Sequence, residues 1–432
     1  MRVMRGDEAW KYVASLETRD IESWLFRQAV EPVIRDVRIR GDTAIAEHLV
    51  KAYGVEITPE DFRVSRWEIE DATSKLSPQN RRLIEESIEV IEDFHRGQMP
   101  QTYSKSYPWG EAWISWEPLD RVGVHVPEYD EVAYVSTLLF AAVPAKVAGV
   151  REVAVFTPPL GGGRIHPVLL AACGILGIEE VYRIGGPVAV AAMAYGTSKI
   201  PAVEKIFGSG DSYFMAAKQI VASDVPVDMP SGPSETVVLA DSSADPRVVA
   251  AEMVAQAEHD VDSMVLLLTD DEGLVEEVLN IIEEMASSLD RGGVAREALN
   301  GRGAVLVFEN LDEVVEAVNV IAPERVTVLS FKDSSLASEI KKAGAVFVGP
   351  YTVSAFGDYA LGINQLLPSG GHARRFGALT VHSFLRPVAH GRVSPDGAKE
   401  LADLVAGLAR LEGLTAHAEA VRIATSSPSA RS

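Results

Sequence analysis

The chain has 432 residues, of which 47% are hydrophobic and 24% are charged, a balance typical of a globular protein with more than one domain. Its formal net charge of −22 disfavours binding to nucleic acid or to an anionic membrane surface, because a strongly acidic surface repels phosphate groups. The single cysteine, Cys173, excludes an internal disulfide and favours a cytoplasmic location.

The first 120 residues have a largely helical pattern. Apolar residues recur at helical spacing across 20–54, and a further helix is predicted after Ser77 and Pro78, which fit an N-cap and a first-turn proline. The N-terminus has no apolar run of the kind found in secretory signal peptides. The most apolar long stretch, 132–150, contains a proline and a lysine, so we expect no transmembrane helix.

From residue 121 onwards, short apolar runs alternate with helical segments. This alternation is typical of a doubly wound parallel sheet, and it occurs in two sets, over 121–240 and 241–380. Residues 381–432 return to a helical pattern. The sequence therefore predicts an α/β fold with two parallel-sheet domains and smaller helical pieces over 1–120 and at the C-terminus.

Three glycine-rich loops follow predicted strands of the first set. They are "FTPPLGGGR" at 156–164, "RIGGPVA" at 183–189 and "FGSGDSY" at 207–213. Ligands usually bind at the carboxyl ends of parallel strands, so each loop is a candidate binding loop. None of the three matches the dinucleotide fingerprint G-x-G-x-x-G, and ordinary turns remain the alternative interpretation.

Several polar residues have the chemistry of metal ligands. Gln256 and His259 are three residues apart near the end of a predicted helix and share one face of it, although a histidine stabilised by the helix dipole is the plainer interpretation. Asp358 lies in a glycine-flanked loop, and Glu412 and His417 flank a predicted helix break. Gln256, His259, Asp358 and His417 together would suit a divalent ion such as zinc, but they lie on three segments that spacing alone does not bring together.

The segment "NVIAPERVTVLS", residues 319–330, places two opposite charges at the start of a predicted strand. Pro323 ends the preceding helix, and the alternating residues after Arg325 are typical of a half-buried strand. Glu324 and Arg325 therefore lie either in a solvated turn or at a corner of an active site.

The chain resembles the histidinol dehydrogenase family over nearly its whole length. The motifs that carry the resemblance, in the family's order, are "RVGVHVP", "YRIGG", "DMPSGPSETVVLAD", "QAEHD", "GDYALGIN", "LLPSGG" and "LEGLTAH". The resemblance implies two Rossmann-like domains, a helical N-terminal region partly packed on the second of them, and an intertwined homodimer with dimer contacts from 381–432. It also implies oxidation of an amino alcohol to the acid through an aldehyde, L-histidinol to L-histidine, with NAD and one zinc per subunit.

The same resemblance assigns roles to individual residues. The zinc ligands would be Gln256, His259, Asp358 and His417, with Glu412 and His417 reaching into the partner's site. The residues that would contact substrate are Ser234, Gln256, His259, Arg325, Asp358, Glu412 and His417. Glu324 matches an acid suited to activating water, and Arg325 stands where the family has its catalytic histidine.

Five positions depart from the family's pattern. Arg325 keeps its proton at any working pH, so it cannot act as the base, although it could bind an anion. At the positions that contact NAD in the family, His125 replaces a tyrosine, Val188 a glutamine and Asp211 an asparagine. Gln365 replaces a histidine.

These departures leave several hypotheses open. The chain is an NAD-linked, zinc-dependent dehydrogenase for L-histidinol, or a paralogue for another small alcohol, where Arg325 would suit a substrate with an anionic group. His125 and His372 are then the candidates for a replacement base. The other hypotheses are a zinc-binding protein without turnover and a hydrolase that uses zinc and Glu324.

Overall fold

The computed structural model describes residues 1–17, 19, 23–129 and 132–426. They divide into two compact units, the first formed by Met1–Gln98 and Leu119–Ser383 and the second by Met99–Pro118 and the residues from Phe384 onwards. Residues 427–432, the end of the predicted C-terminal segment, lie outside the described part of the chain.

The N-terminal part of the chain is one strand, five helices and two further strands. The fifth helix begins as the sequence predicts, because the Ser77 hydroxyl accepts a hydrogen bond from the Asn80 N–H at 3.1 Å and Pro78 occupies the first turn. The elements are β1 (Arg2–Arg5), α1 (Asp7–Glu17), α2 (Ser23–Arg40), α3 (Asp42–Tyr53), α4 (Arg66–Lys75), α5 (Pro78–Arg96), β2 (Tyr103–Tyr107) and β3 (Gly110–Pro118).

The next part of the chain alternates strands and helices. Its elements are β4 (Arg121–His125), β5 (Glu128–Tyr129), β6 (Val132–Ala133), α6 (Val135–Ala148), β7 (Glu152–Phe156), α7 (Pro167–Ile175), β8 (Val181–Tyr182), α8 (Gly186–Tyr195), β9 (Lys205–Gly208), α9 (Ser212–Val221) and β10 (Glu235–Ala240). Four of these strands form a parallel sheet in the order β8-β7-β4-β9. Cys173 is fully buried on α7, as the sequence predicts, and burial raises the pKa of its thiol to about 12.

A second alternating part follows and ends in two long helices. Its elements are α10 (Pro246–Ala257), β11 (Met264–Thr269), α11 (Glu272–Ser288), α12 (Gly292–Gly301), β12 (Ala304–Val307), α13 (Leu311–Ile321), β13 (Arg325–Leu329), α14 (Asp333–Glu339), β14 (Ala345–Val348), α15 (Ala355–Tyr359), β15 (Leu385–Val393), α16 (Pro395–Leu411) and α17 (Thr415–Ser426). Six parallel strands form its sheet in the order β1-β12-β11-β10-β13-β14. The α/β class with two parallel sheets is confirmed.

Some elements differ from the prediction. β10, placed by its sequence in the first set, pairs with β11 and β13 of the second sheet, because its fully buried apolar side chains match those of the second core. The N-terminal and C-terminal pieces predicted to be helical also contain strands. β2, β3 and β15 form an antiparallel sheet of the second unit, and β3 pairs with β15 across more than 250 residues of chain.

Both parallel sheets are covered by helices, and this arrangement buries their strands almost completely. In the part of the chain that the structure describes, no helix has both the length and the apolarity needed to cross a membrane.

Candidate active site

A cavity of about 960 Å³ lies within the first unit, between the two parallel sheets. The carboxyl ends of the first sheet contribute Pro127 after β4 and Ser209–Ser212 after β9. The second sheet contributes the amino ends of its strands, with Ser234 before β10 and Glu324 and Arg325 at the start of β13. Of the three predicted binding loops, only "FGSGDSY" lines the cavity.

Arg325 lies at the inner end of the cavity and is only 5% exposed, so the solvated-turn interpretation of its segment is wrong. Its Nη1 donates to Gln256 Oε1 at 2.9 Å. Its Nη2 lies 3.3 Å from Glu324 Oε1 and 3.5 Å from Asp358 Oδ1. The folded chain therefore brings together Arg325, Glu324 and two of the predicted zinc ligands.

Glu324 is buried beside this guanidinium, with 6% of its surface exposed. Burial raises the pKa of its carboxyl to about 7, although the nearby charge of Arg325 opposes the rise. Its Oε2 accepts a hydrogen bond from the Glu235 N–H at 3.3 Å. A carboxyl that ionises near neutrality in a cavity is suited to accept and return protons.

His259 and Asp358 also line the cavity. Burial, and then the charge of Arg325, lower the pKa of His259 to about 4, so its imidazole is neutral at physiological pH. Asp358 lies on the short helix α15, and its buried Oδ1 accepts no hydrogen bond. A neutral imidazole and an unsatisfied carboxylate oxygen are both good donors for zinc.

Gln256 lies behind Arg325 and is 1% exposed. Its Oε1 accepts from Arg325 and from Thr236 Oγ1, the latter at 3.1 Å, and its Nε2 donates to Ser354 Oγ at 2.7 Å. Both lone pairs of the amide oxygen are therefore engaged. The residues of the first unit fit zinc in their chemistry, provided that Arg325 releases the oxygen of Gln256.

Three of the four predicted zinc ligands, Gln256, His259 and Asp358, belong to the first unit of the described residues. The described residues contain no group of three or more histidine, cysteine or acidic side chains placed to hold a metal ion. Glu412 and His417 belong to the second unit, where both side chains are exposed, Glu412 just after α16 and His417 on α17.

Sequence reasoning missed the groups that support these residues. Glu252 is buried one helical turn before Gln256, where its carboxylate accepts from Thr327 Oγ1 at 2.7 Å and from the Ser354 N–H at 3.1 Å. An acid four residues before a predicted ligand, in an otherwise apolar helix, was the available sequence signal.

A second missed group adjoins Glu324 through Glu235, whose N–H donates to the Glu324 carboxylate. Arg19 forms a bidentate ion pair with Glu235, with both N–O distances 2.7 Å. Both side chains are almost completely buried. The two residues are 216 positions apart, so no local pattern in the sequence connects them.

The first predicted cofactor-contact residue, His125, does not line the cavity. Its ring is buried, stacks on Phe214 with the ring centres 4.0 Å apart, and bonds through Nδ1 to the Ser209 carbonyl at 2.7 Å. Its Nε2 accepts from the Gly186 N–H at 3.2 Å, and burial lowers its pKa to about 4. Both nitrogens are thus engaged, so His125 is poorly placed to contact cofactor or to act as a base.

The other predicted positions also divide into residues that line the cavity and residues that do not. Val188 is fully buried in α8 and does not line the cavity, whereas Gln365 does. His372, the second candidate base, is not among the described residues that line the cavity. Asp211 lines the cavity and caps α9, where its Oδ1 accepts from the Phe214 N–H at 2.7 Å.

The start of α6 offers a different contact for a phosphate group. Val135, Ser136 and Thr137 line the cavity at this helix N-terminus, and no side chain caps the helix there. Uncapped N–H groups and the helix dipole favour an anion at this end of the helix. The start of α6 is therefore a candidate contact for a phosphate group.

Comparisons of this chain with known proteins, by sequence and by structure, find the same family. A family model described as "Histidinol dehydrogenase" matches residues 16–425. The histidinol dehydrogenases of Methanothermobacter thermautotrophicus and Methanopyrus kandleri are 38% identical over 394 residues and 40% identical over 399 residues, in each case 91% of this chain and 92% of the relative. The crystal structure of histidinol dehydrogenase from Elizabethkingia anophelis has a TM-score of 0.89 at 31% identity and covers 98% of each chain.

Proposed function

We propose, because the chain belongs to the histidinol dehydrogenase family, that it is an NAD-dependent dehydrogenase that oxidises L-histidinol through the aldehyde to L-histidine. The observation that carries the proposal is the family match over 16–425 together with Glu324, which keeps the family's acid position and is buried at the cavity. We place the reaction in the cytoplasm.

The family uses NAD and zinc, and we propose both for this chain, with one zinc per subunit. Zinc would be held by Gln256, His259 and Asp358, with His417 of the partner subunit as fourth ligand. When bound, zinc would supply a Lewis acid to orient the alcohol, and NAD would supply the acceptor for its hydride. The start of α6 would receive the pyrophosphate, with Asp211 near a ribose.

The side chains of this chain have separate tasks in the reaction. Glu324 in its ionised form accepts a proton from the water that adds to the aldehyde carbon. Arg325 cannot accept the proton of the alcohol, so we assign that proton too to Glu324, which passes it to solvent before the water adds. The charge of Arg325 stabilises the ionised form of Glu324. Ser234 would position the substrate from the amino end of β10.

A second candidate function is oxidation of another small alcohol that bears an anionic group. The observation that favours it is a permanent cation, Arg325, lining the cavity where the family has a histidine. Glu324 and Asp358 partly neutralise this cation, so an anion must compete with them. A member that binds zinc but has lost turnover is the further alternative.

The decisive experiment is NADH formation at about 340 nm by zinc-loaded protein with NAD and a panel of alcohols. Two NADH per L-histidinol would support the proposal, because two oxidation steps convert the alcohol to the acid. Activity only on an anionic alcohol would support the second candidate. No activity on any alcohol, with zinc bound, would contradict both.

Arg325→His discriminates further, because it restores the histidine that the family uses as a base. We expect L-histidinol turnover to rise by about 10-fold or more, since a general base contributes ~10²–10⁴ in rate. Arg325→Gln is the control, because it removes the charge without adding a base. An equal rise in both variants would mean that the charge, rather than the missing base, limits turnover.

A further inference from the structure

The guanidinium of Arg325 contacts two of the oxygen donors that a metal ion would need. It donates to Gln256 Oε1 at 2.9 Å, and its Nη2 lies 3.5 Å from Asp358 Oδ1. Because Thr236 also donates to Gln256 Oε1, both lone pairs of that oxygen are in use. A metal ion can therefore bind Gln256 only after one of these hydrogen bonds is broken.

The charge of Arg325 adds a second obstacle. The side chain is 5% exposed, and Glu324 and Asp358 are the acids beside it. A divalent ion entering here meets a fixed cation in surroundings that screen repulsion weakly, and it must share Asp358 with that cation. A neutral histidine at the same position would be shorter and would not repel the ion.

The contacts of Arg325 also have a consequence for the metal-free protein. Without a bound metal, loss of Arg325 would take from Asp358, which is 5% exposed, the guanidinium that lies 3.5 Å from its Oδ1. The guanidinium supplies a positive charge beside Asp358 and a hydrogen bond to Gln256. It thus provides, from within the chain, the positive charge that these donors would otherwise receive from an ion.

We propose that Arg325 competes with zinc for Gln256 and Asp358, so that zinc binds this chain reversibly and the metal-free site keeps its structure. The inference rests on the proposed zinc site, but it concerns affinity and not turnover. Arg325 is therefore a positioning residue that sets how tightly the metal is held.

The test measures zinc dissociation constants of the full-length protein by competition with a chelator of known affinity. Arg325→Gln and Arg325→His should each bind zinc at least about 10-fold more tightly than the wild type. Removal of zinc by the chelator should lower the Tm of both variants more than that of the wild type, since bound metal contributes more to their stability.

Arg291→Gln is the matched control, because Arg291 also lines the cavity but donates to the Glu258 backbone carbonyl. We expect its zinc affinity to change by less than about 3-fold. An increase as large as that of Arg325→Gln would overturn direct competition in favour of a general effect of charge. Equal or weaker zinc binding by both Arg325 variants, or no zinc binding by any protein, would overturn the proposal.

The result does not depend on dehydrogenase activity. If no alcohol is oxidised but the affinities shift as expected, the inference holds and the proposed function fails. If L-histidinol is oxidised but the affinities do not shift, the function holds and the inference fails. Circular dichroism of each variant before titration verifies that the compared proteins are folded.

Discussion

Glu324 is the residue whose ionisation should govern the pH dependence of the reaction. Its pKa is raised to about 7 by burial, so the fraction able to accept a proton falls tenfold per pH unit below that value. We expect kcat/KM to rise with that slope up to about pH 7 and to level off above it. Glu324→Gln should lower kcat by about 10²–10⁴ and abolish this limb of the profile. An unchanged profile in the variant would exclude Glu324 as the titrating group.

The same residue makes stability depend on pH. Its pKa in the folded protein, about 7, lies above the ordinary value of 4.5, so the folded state binds the proton more tightly than the unfolded state. The stability that this tighter proton binding gives the folded state is therefore fully present below pH 4.5 and is lost as the pH rises through about 7. Raising the pKa from 4.5 to about 7 corresponds to a loss on the order of 3 kcal/mol.

Urea unfolding at several pH values, for the wild type and for Glu324→Gln, measures this loss. The free energy of unfolding of the wild type should fall between about pH 4.5 and 7 relative to that of the variant. A constant difference across this range would contradict the raised pKa.

How far the sequence predicts the site depends on whether each residue has a local signal. Glu324 and Arg325 are recognisable because they interrupt an apolar pattern at a strand start, and the structure buries both of them. Arg19 and Glu235 have no such signal, because their ion pair forms only when distant segments meet. His125 was misleading, because its motif matches the family although its ring is turned into hydrogen bonds with Ser209 and Gly186.

At the scale of elements, the short helix α15 is connected to α10 through Ser354. The Ser354 hydroxyl accepts from Gln256 Nε2 at 2.7 Å, and its N–H donates to Glu252. Ser354→Ala leaves the buried Gln256 donor without this partner, so we expect a loss of about 1–3 kcal/mol in the free energy of unfolding. Denaturant unfolding measures it.

Ser335→Ala is the control for that prediction, because Ser335 is exposed on α14 and its hydroxyl donates to the carbonyl of Lys332, just before that helix. Ser335→Ala should change the free energy of unfolding by no more than about 0.5 kcal/mol. Equal costs for the two variants would show that the connection between α10 and α15 carries no special stability.

The elements that the sequence predicts well are those with a strong period. The helices and the buried parallel strands repeat apolar residues over several turns or positions, and their patterns identify them. β15 lacks such a period, because Pro387 and Gly391 interrupt it, and its partner β3 is distant along the chain. β10 was assigned to the wrong sheet because adjacency in sequence does not determine pairing.

At the scale of the whole molecule, the second unit leaves a row of apolar side chains exposed. Leu404, Leu408 and Leu411 on α16 are 60%, 54% and 85% exposed, more apolar surface than a single helix normally leaves to solvent. We expect a second copy of the chain to cover them, with Glu412 and His417 completing the partner's cavity.

Mixed dimers test that sharing. Glu324→Gln and His417→Ala should each be inactive alone, but subunits mixed one to one should recover about a quarter of the wild-type rate, because half of the dimers then contain one intact site. Mixing Glu324→Gln with Asp358→Asn is the control and should recover nothing, since both residues belong to the first unit. Absence of recovery in the first mixture would exclude a shared site.

The burial of Cys173 makes such dimers accessible to spectroscopy. The chain has one cysteine, and its thiol is fully buried with a pKa of about 12, so it reacts slowly with maleimides and other thiol reagents. A cysteine introduced on the exposed face of α17 would then be labelled selectively in the otherwise wild-type background. Spin labels placed there would report the distance between two copies directly, and the same labelled protein could be titrated with zinc or NAD.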